Sequence, residues 1–470
     1  MNGPSVKYPE EKHKSILLMT TAPPSTAPWI LGRKLPPLGL AYVGAALEKS
    51  GYQVQILDNY LMNKPIDEVK HIITQLEPDI VGITCGSATY QRCLETARAV
   101  KESRPACNVV VGGWHASYAP DSLLEHPEID YVVIGEGELA MTELAAHITQ
   151  GGKYSDAGGI AGVGYRSNGN ITKNPPEVIA DLDRVPFPAR HLLPMNLYGR
   201  KIEFLNVEPV DIMSITRGCP YNCAYCDIEK LWGKKCRVFS PPRVMDEVKH
   251  LVDKFGSKGV YFISDNFTIR KQETAEFCDL MKKEKLDVEW VCDTRADLIS
   301  KDLLVKMREA GCKTIWFGVE SGSPRIIDII NKGITKEQTM RAFKLCREAG
   351  IQVACSFMIG IPGETVKDME ASLNFAKQLD PDWCGFNIYV AYPGSILYEE
   401  ILEKHLYDRV EDFLFYVKTE DFDFESLVKI QRKILQSWNR SPKRILRKIR
   451  REGASTVLKQ ALSAARHARL

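Results

Sequence analysis

Cys219, Cys223 and Cys226 stand at C-x3-C-x2-C spacing in the stretch Arg217-Gly218-Cys219-Pro220-Tyr221-Asn222-Cys223-Ala224-Tyr225-Cys226. Three thiolates this close along one loop can converge on a small metal assembly. A [4Fe–4S] cluster takes thiolate ligands, and with only three of them one iron stays open to an outside ligand. Electron-transfer clusters ordinarily use four, so the missing fourth is the informative feature. The competing chemistry is a zinc knot, which closes its tetrahedron with a further Cys or His. Cys236 is close enough in sequence to be that ligand.

Such a loop needs a rigid mount. The apolar run Ile212 to Thr216 reads as a strand that delivers the cysteines from its C-terminal end. Further strands are expected at Gly259–Ile263, Val288–Cys292, Thr314–Val319, Val353–Ile359 and Gly385–Tyr389, with amphipathic helical stretches between them. Six such βα units predict a partial TIM-type barrel, whose working face is the C-terminal ends of its strands. Those ends carry Asp265, Arg295, Glu320-Ser321 and the turn Gly360-Ile361-Pro362-Gly363-Glu364. Taken singly, Asp265 and Arg295 fit a salt bridge or a turn as well as a ligand contact.

The first 155 residues alternate strand and helix in the same way. Strands are expected at Ser15–Met19, Gln53–Leu57, Ile80–Thr84, Asn108–Val111 and Tyr131–Ile134. That rhythm predicts a doubly wound parallel sheet, which binds ligands beyond the carboxyl ends of its strands. Small residues gather there, in Thr84-Cys85-Gly86-Ser87, Gly112-Gly113-Trp114-His115 and Gly135-Glu136-Gly137-Glu138. They let backbone approach a bulky ligand, or they form ordinary βα turns; spacing alone leaves both open. No G-x-G-x-x-G follows the first strand, which disfavours a nicotinamide or flavin dinucleotide.

The cysteine spacing, the aromatic Tyr225 before the last cysteine, and Gly318-Val319-Glu320-Ser321-Gly322-Ser323 with Asn331-Lys332-Gly333-Ile334-Thr335 together resemble the radical S-adenosylmethionine (SAM) superfamily. Pro36-Pro37-Leu38-Gly39-Leu40, Gly112 to His115 and Gly135 to Glu138 resemble the cobalamin-binding domain that precedes many of its barrels. The resembled group contains class B radical SAM methyltransferases and anaerobic porphyrin cyclases. The resemblance implies that Tyr225, Asp265, Arg295, Glu320, Ser321, Gly360 and Gly363 hold SAM at the open iron. It implies Leu38, Gly39, Thr84, Ser87, Gly112, Gly113, His115, Gly135 and Glu136 for cobalamin. Cobalamin enzymes elsewhere carry D-x-H-x-x-G after the second strand, with the histidine on cobalt. This chain reads Asp58-Asn59-Tyr60-Leu61-Met62-Asn63 there. His115, the nearest histidine on a ligand loop, is more ordinarily structural than a cobalt ligand.

The implied chemistry is reductive cleavage of SAM, hydrogen abstraction from an unactivated carbon, and methyl transfer to it from cobalamin. A cyclase or coupling enzyme on the same scaffold is the nearest alternative. A non-catalytic cobalamin or iron–sulfur sensor is the alternative of another class.

Composition sets the frame. At 470 residues, 44% hydrophobic, 26% charged and with a net charge of +2, the chain reads as two or three globular domains and not as a nucleic-acid binder. Thirteen scattered cysteines argue for thiols kept reduced in a cytoplasm, not a disulfide framework, and an open-site cluster would also favour an anaerobic setting. The expected order is 1–155 cobalamin-binding, 156–200 a hairpin and proline-rich linker, 201–395 the radical SAM barrel, and 396–470 a mainly helical segment. An Asn168-Gly169 turn marks the hairpin, and Val185-Pro186-Phe187-Pro188 reads as extended chain. The last thirty residues are strongly basic and amphipathic, a candidate for peripheral membrane contact or for packing on the acidic segment before them. Expected partners are a small-molecule or lipid substrate and an electron donor such as flavodoxin or ferredoxin.

Overall fold

The computed structural model describes residues 14–24, 35–152, 154–441, 444–446 and 449. Two parallel sheets organise it. In the first, β1 (Ser15–Thr20), β2 (Gln53–Asp58), β3 (Ile80–Thr84), β4 (Asn108–Gly112) and β5 (Tyr131–Val133) run parallel in the order β2-β1-β3-β4-β5. Their near-continuous Val, Ile and Leu runs follow from burial on both faces, under helices such as Leu38–Lys49 and Tyr90–Ser103. The order reverses between β1 and β3, which opens a crevice above the C-terminal strand ends.

The expected hairpin forms, as β6 (Val163–Ser167) and β7 (Asn170–Lys173), but it is not part of a linker. It pairs antiparallel with β5 and completes a seven-stranded sheet. The proline-rich stretch after it is no free tether either. Ala189 N donates to Ala41 O at 2.9 Å, while the fully buried Arg190 pairs with Glu247 (2.9 Å) and donates to Ile212 O (2.9 Å). One arm thus ties the first domain's leading helix to the second sheet.

That second sheet is β8 (Val210–Met213), β11 (Gly259–Phe262), β12 (Glu289–Thr294), β13 (Cys312–Glu320), β14 (Gln352–Ile359) and β15 (Trp383–Ile388), in the order β15-β14-β13-β12-β11-β8. All five pairings are parallel, and β8 and β15 do not pair, so the barrel is partial. A two-stranded ribbon, β9 (Thr216–Arg217) with β10 (Arg237–Val238), flanks the cysteine loop. The segment after the barrel holds more strand than the sequence pattern suggests. β16 (Val390–Ala391), β17 (Tyr407–Glu411) and β18 (Leu414–Val417) make an antiparallel sheet before the helix Phe424–Asn439. Phe413, at the β17–β18 turn, packs its ring on Tyr90 and His115 of the first domain, at centroid distances of 4.9 and 4.4 Å. Most of the basic tail lies outside the described residues. Among the described residues no helix is long and apolar enough to cross a membrane.

Candidate functional site

The cysteine loop leaves the ribbon through Gly218, whose φ of +90° and lack of a side chain are both required. A Cβ there would meet Lys235 O at 2.5 Å. Cys219, Cys223 and Cys226 are each half-buried on the C-terminal face of the barrel. Asn266 Nδ2 donates to Cys219 Sγ at 3.4 Å, and the Arg295 guanidinium approaches Cys223 Sγ at 4.0 Å while lying 3.6 Å over the Tyr221 ring. Donors aimed at sulfur favour the thiolate that iron requires. Burial works against it and pushes the Cys226 thiol up to about 12, so iron binding must displace protons.

Among the described residues, no three His, Cys, Asp or Glu side chains converge on a point that could hold a metal ion. A zinc knot needs four ligands meeting one ion at about 2.0–2.3 Å. A cubane instead takes each thiolate on a different iron, so it does not require the three sulfurs to meet at one point.

Next to this loop the chain builds a polar triad. β13 slips register between Gly318 and Glu320, and Glu320 takes a left-handed φ of +65°. A bulge and a strained non-glycine residue at a strand end re-aim a side chain. Here the Glu320 carboxylate turns back over Gly318, where a Cβ would sit only 2.2 Å from Oε1. Tyr225 OH donates to Glu320 Oε1 at 3.0 Å, Lys332 Nζ lies 3.1 Å from the same oxygen, and Lys332 also donates to Tyr225 OH at 2.9 Å. Sequence reading marked Glu320 and Tyr225 and missed Lys332 as a site residue. Its place in Asn331-Lys332-Gly333 was the signal.

Ser321 and Gly322 are tied down by Ser372. Its Oγ lies 3.2 Å from Ser321 Oγ and accepts from Gly322 N at 2.9 Å. Gly360 and Gly363 (φ +87° and +77°) form the expected turn. The wholly buried Glu364 fixes it by accepting from Gly360 N (2.6 Å) and Ile361 N (3.1 Å). Burial raises Glu364 to about 7. Arg295 is engaged by Asp297 (3.0 Å) and by Lys332 O (3.0 Å), which makes it a brace between the cysteine loop and the triad.

Between the two sheets lies a cavity of about 450 Å³. The first domain lines it with Leu38, Gly39, Thr84, Gly112, Gly113 and Gly135, and the barrel with Ile212, Ser214, Ile263 and Asp265 among others. Gly113 has φ +95° and ψ −166°, and a Cβ would meet Thr84 Oγ1 at 2.7 Å, so only glycine fits. Asp265 faces this cavity and not the Glu320 triad. Its buried Oδ2 has no hydrogen-bond partner, and burial raises the carboxyl to about 6. An unpartnered buried oxygen on a cavity wall suits a polar ligand group.

Three residues expected around cobalamin do not line the cavity. His115 is wholly buried. Its Nδ1 bonds Ser87 Oγ (3.1 Å), its Nε2 bonds Ser122 Oγ (3.0 Å), and burial lowers its pKa to about 4. Ser87 is therefore occupied as well. Glu136 turns away to pair with Arg217 (2.9 Å) and Arg237, while Glu138 pairs with Arg217. These four charges, each 7% exposed or less, cross the domain boundary at the two-stranded ribbon that flanks the cysteine loop. Arg217 also lies over Trp232, 4.8 Å from the ring centroid. The usual histidine position after β2 is held by Tyr60, and Asp58, two residues earlier, caps the short helix that follows by accepting from Leu61 N at 3.2 Å.

Comparison with known proteins agrees with this arrangement. The Radical SAM superfamily model matches residues 213–376 and the B12 binding domain model matches 31–145. An uncharacterized methyltransferase of Pyrococcus horikoshii is 34% identical over 448 residues, covering 93% of this chain and 95% of that protein. The anaerobic magnesium-protoporphyrin IX monomethyl ester cyclase of Rubrivivax gelatinosus is 33% identical over 376 residues, covering 78% and 67%. Among solved structures, the radical SAM methyltransferase TsrM of Kitasatospora setae, with cobalamin and a [4Fe–4S] cluster bound, superposes with a TM-score of 0.70 at 21% identity, covering 84% of this chain and 79% of that one. The cobalamin-dependent radical SAM enzyme OxsB gives 0.76 at 14%, covering 96% and 71%; both show a shared fold. The chain belongs to the radical SAM superfamily, in the branch that carries a B12 binding domain, and is an enzyme whose cofactors are a [4Fe–4S] cluster, SAM and cobalamin.

Proposed function

We propose that this radical SAM enzyme methylates an unactivated carbon of a small molecule. The observation that carries the reading is the cavity that ligand loops of both sheets line together, with the cysteine loop at its edge. When bound, the reduced cluster supplies the electron that cleaves SAM, and cobalamin supplies the methyl carrier. The chain's own residues hold and exclude. Cys219, Cys223 and Cys226 ligate the cluster. Tyr225, Glu320, Ser321, Gly360 and Gly363 receive SAM, with Lys332 keeping the Glu320 carboxylate in place and Arg295 bracing the loop. Leu38, Gly39, Thr84, Gly112, Gly113 and Gly135 form the cobalamin seat, and Asp265 presents its free oxygen to whatever lies between. His115, Ser87 and Glu136 support that seat from behind.

We assign the first domain to residues 14–173, since the hairpin belongs to its sheet, the brace to 174–200, and the barrel to 201–395. A flavodoxin or ferredoxin is the proposed electron donor, and the basic tail the proposed point of peripheral membrane contact. The test is turnover under anaerobic conditions with methyl-labelled SAM, using candidate substrates. Label in the product is expected. The cyclase relative favours a second reading, in which product forms and 5′-deoxyadenosine accumulates with no label transferred. That outcome would replace the first.

A further inference from the structure

A closed barrel buries its inward side chains in packed layers. This one does not. On β11 to β15 the outward residues Phe262, Cys292, Phe317, Phe357 and Phe386 are at most 2% exposed. The alternate, inward positions Tyr261, Asp293, Trp316, Ser356 and Met358 are only half-buried, and Asn387 is exposed. The period of two places them on one face, so the barrel has an accessible lumen.

Its N-terminal end is shut. Phe204, from the arm before β8, sets its ring against Trp316 (4.9 Å) and Trp383 (5.3 Å), and Phe204 O accepts from Thr314 Oγ1 at 2.9 Å. Ile202, Leu205, Val210, Val291 and Ala354 fill the same floor. Toward its open end, the lumen reaches Ile212, Ser214 and Ile263, which line the interdomain cavity. A molecule seated on the floor would therefore extend toward the Glu320 triad on one side and that cavity on the other.

The wall has one sign of charge. Asp293 is the only acid or base other than a phenol among the inward strand positions between the floor and the rim, burial raises its carboxyl to about 7, and its two oxygens accept from a single phenol, Tyr261 OH, at 3.0 and 2.9 Å. A carboxylate has about four acceptor sites, so capacity remains. The cations at the rim are committed, Lys332 to Glu320 and Arg295 to Asp297. An anionic ligand here would meet the Asp293 carboxyl and, among the described residues, no free cation at the rim, whereas a donor would find a partner in an apolar surround.

We propose that this lumen is the substrate pocket and takes a flat, largely apolar molecule whose cationic or hydrogen-bond-donating group is received by Asp293. Trp316, Met358 and the indole of Trp383 supply the apolar contact, and Trp316 is held by a bond from its Nε1 to Ser356 Oγ at 3.4 Å. The proposal rests on the reading of the chain as a radical SAM methyltransferase, whose substrate it describes.

Equilibrium dialysis of the anaerobically reconstituted full chain, with naphthylmethylamine and naphthoate as matched probes, tests it. The amine should bind about tenfold more tightly or better, and Asp293→Asn should cut that preference below about threefold. Iron content should stay at the level of the unsubstituted enzyme, which shows that the variant is folded and loaded. Equal binding, preference for the carboxylate, no binding of either probe, or an undiminished preference in Asp293→Asn each overturns the assignment. If that variant does not fold, Tyr261→Phe keeps the carboxylate and must keep the amine preference, and its loss there counts against the proposal. Ser356→Leu should weaken both probes together. Methyl transfer is scored separately: absence of labelled product with the amine preference intact overturns the methyltransferase reading and leaves the lumen assignment standing.

Discussion

The two parallel sheets of this enzyme present ligands at the same kind of place and do it with opposite means. The strand ends of the first sheet are nearly bare: Gly112, Gly113 and Gly135 expose backbone, and the carboxylates beside them, Glu136 and Glu138, are taken by Arg217 and Arg237. The strand ends of the second carry thiols, a carboxylate held by a lysine and a tyrosine, and a guanidinium stacked on a ring. One site selects by shape and close approach, the other by charge and donor geometry. The difference fits their cargo, since a large preassembled cofactor needs room, whereas a cluster and a sulfonium need ligands.

If the sites are separable in this way, Cys223→Ala should abolish iron binding and SAM cleavage while bound cobalamin, read by its absorbance, remains. Loss of both would break the comparison. The boundary between them should be the next most costly place to cut. Glu136→Ala leaves Arg237 and part of Arg217 buried without a counter-charge, a change worth about 3–5 kcal/mol, measurable by denaturant melts. It should weaken both cofactors at once, because the ion pairs join the glycine loop to the cysteine loop.

Gly113→Ala sharpens the contrast from the other side. Its backbone conformation costs a non-glycine residue about 1–3 kcal/mol, and the added Cβ collides with Thr84 Oγ1. Cobalamin should be lost with iron content unchanged.

The mildest test is pH. Glu364 has a folded-state pKa near 7, raised by burial from an ordinary 4.5. The folded chain therefore holds that proton where the unfolded chain has released it. The stability this contributes is present in full below about 4.5 and is lost as pH rises to about 7. Glu364→Gln should flatten that part of the stability profile, and melts across the window check it.

The chemistry of the second site was legible because it is written in local spacing. Strand, loop and ligand lie within a few residues, as in Ile212 to Cys226, and a helix or strand period repeats on the same scale. Strand ends came out within two residues for the same reason, except that the strand expected at Ile212–Thr216 stops at Met213 and Thr216 opens the separate ribbon. The first site was legible only as a set of small residues, and the sequence could not say which of their neighbours face a ligand. Gly112 and Gly113 line the cavity, while His115, two residues on, points back between Ser87 and Ser122 under a phenylalanine from nearly three hundred residues away.

By itself, then, the sequence determined the cluster loop, the order of strands and helices, and the family to which both point. Only the tertiary structure decided that Glu136 pairs across the boundary with Arg217 and Arg237, that the hairpin belongs to the first sheet, that Lys332 holds Glu320, and that Phe204 packs on Trp316 below Asp293. The physical reason is range. Spacing and periodicity fix what a segment is, but burial and partner choice depend on which distant segment the chain's topology lays against it.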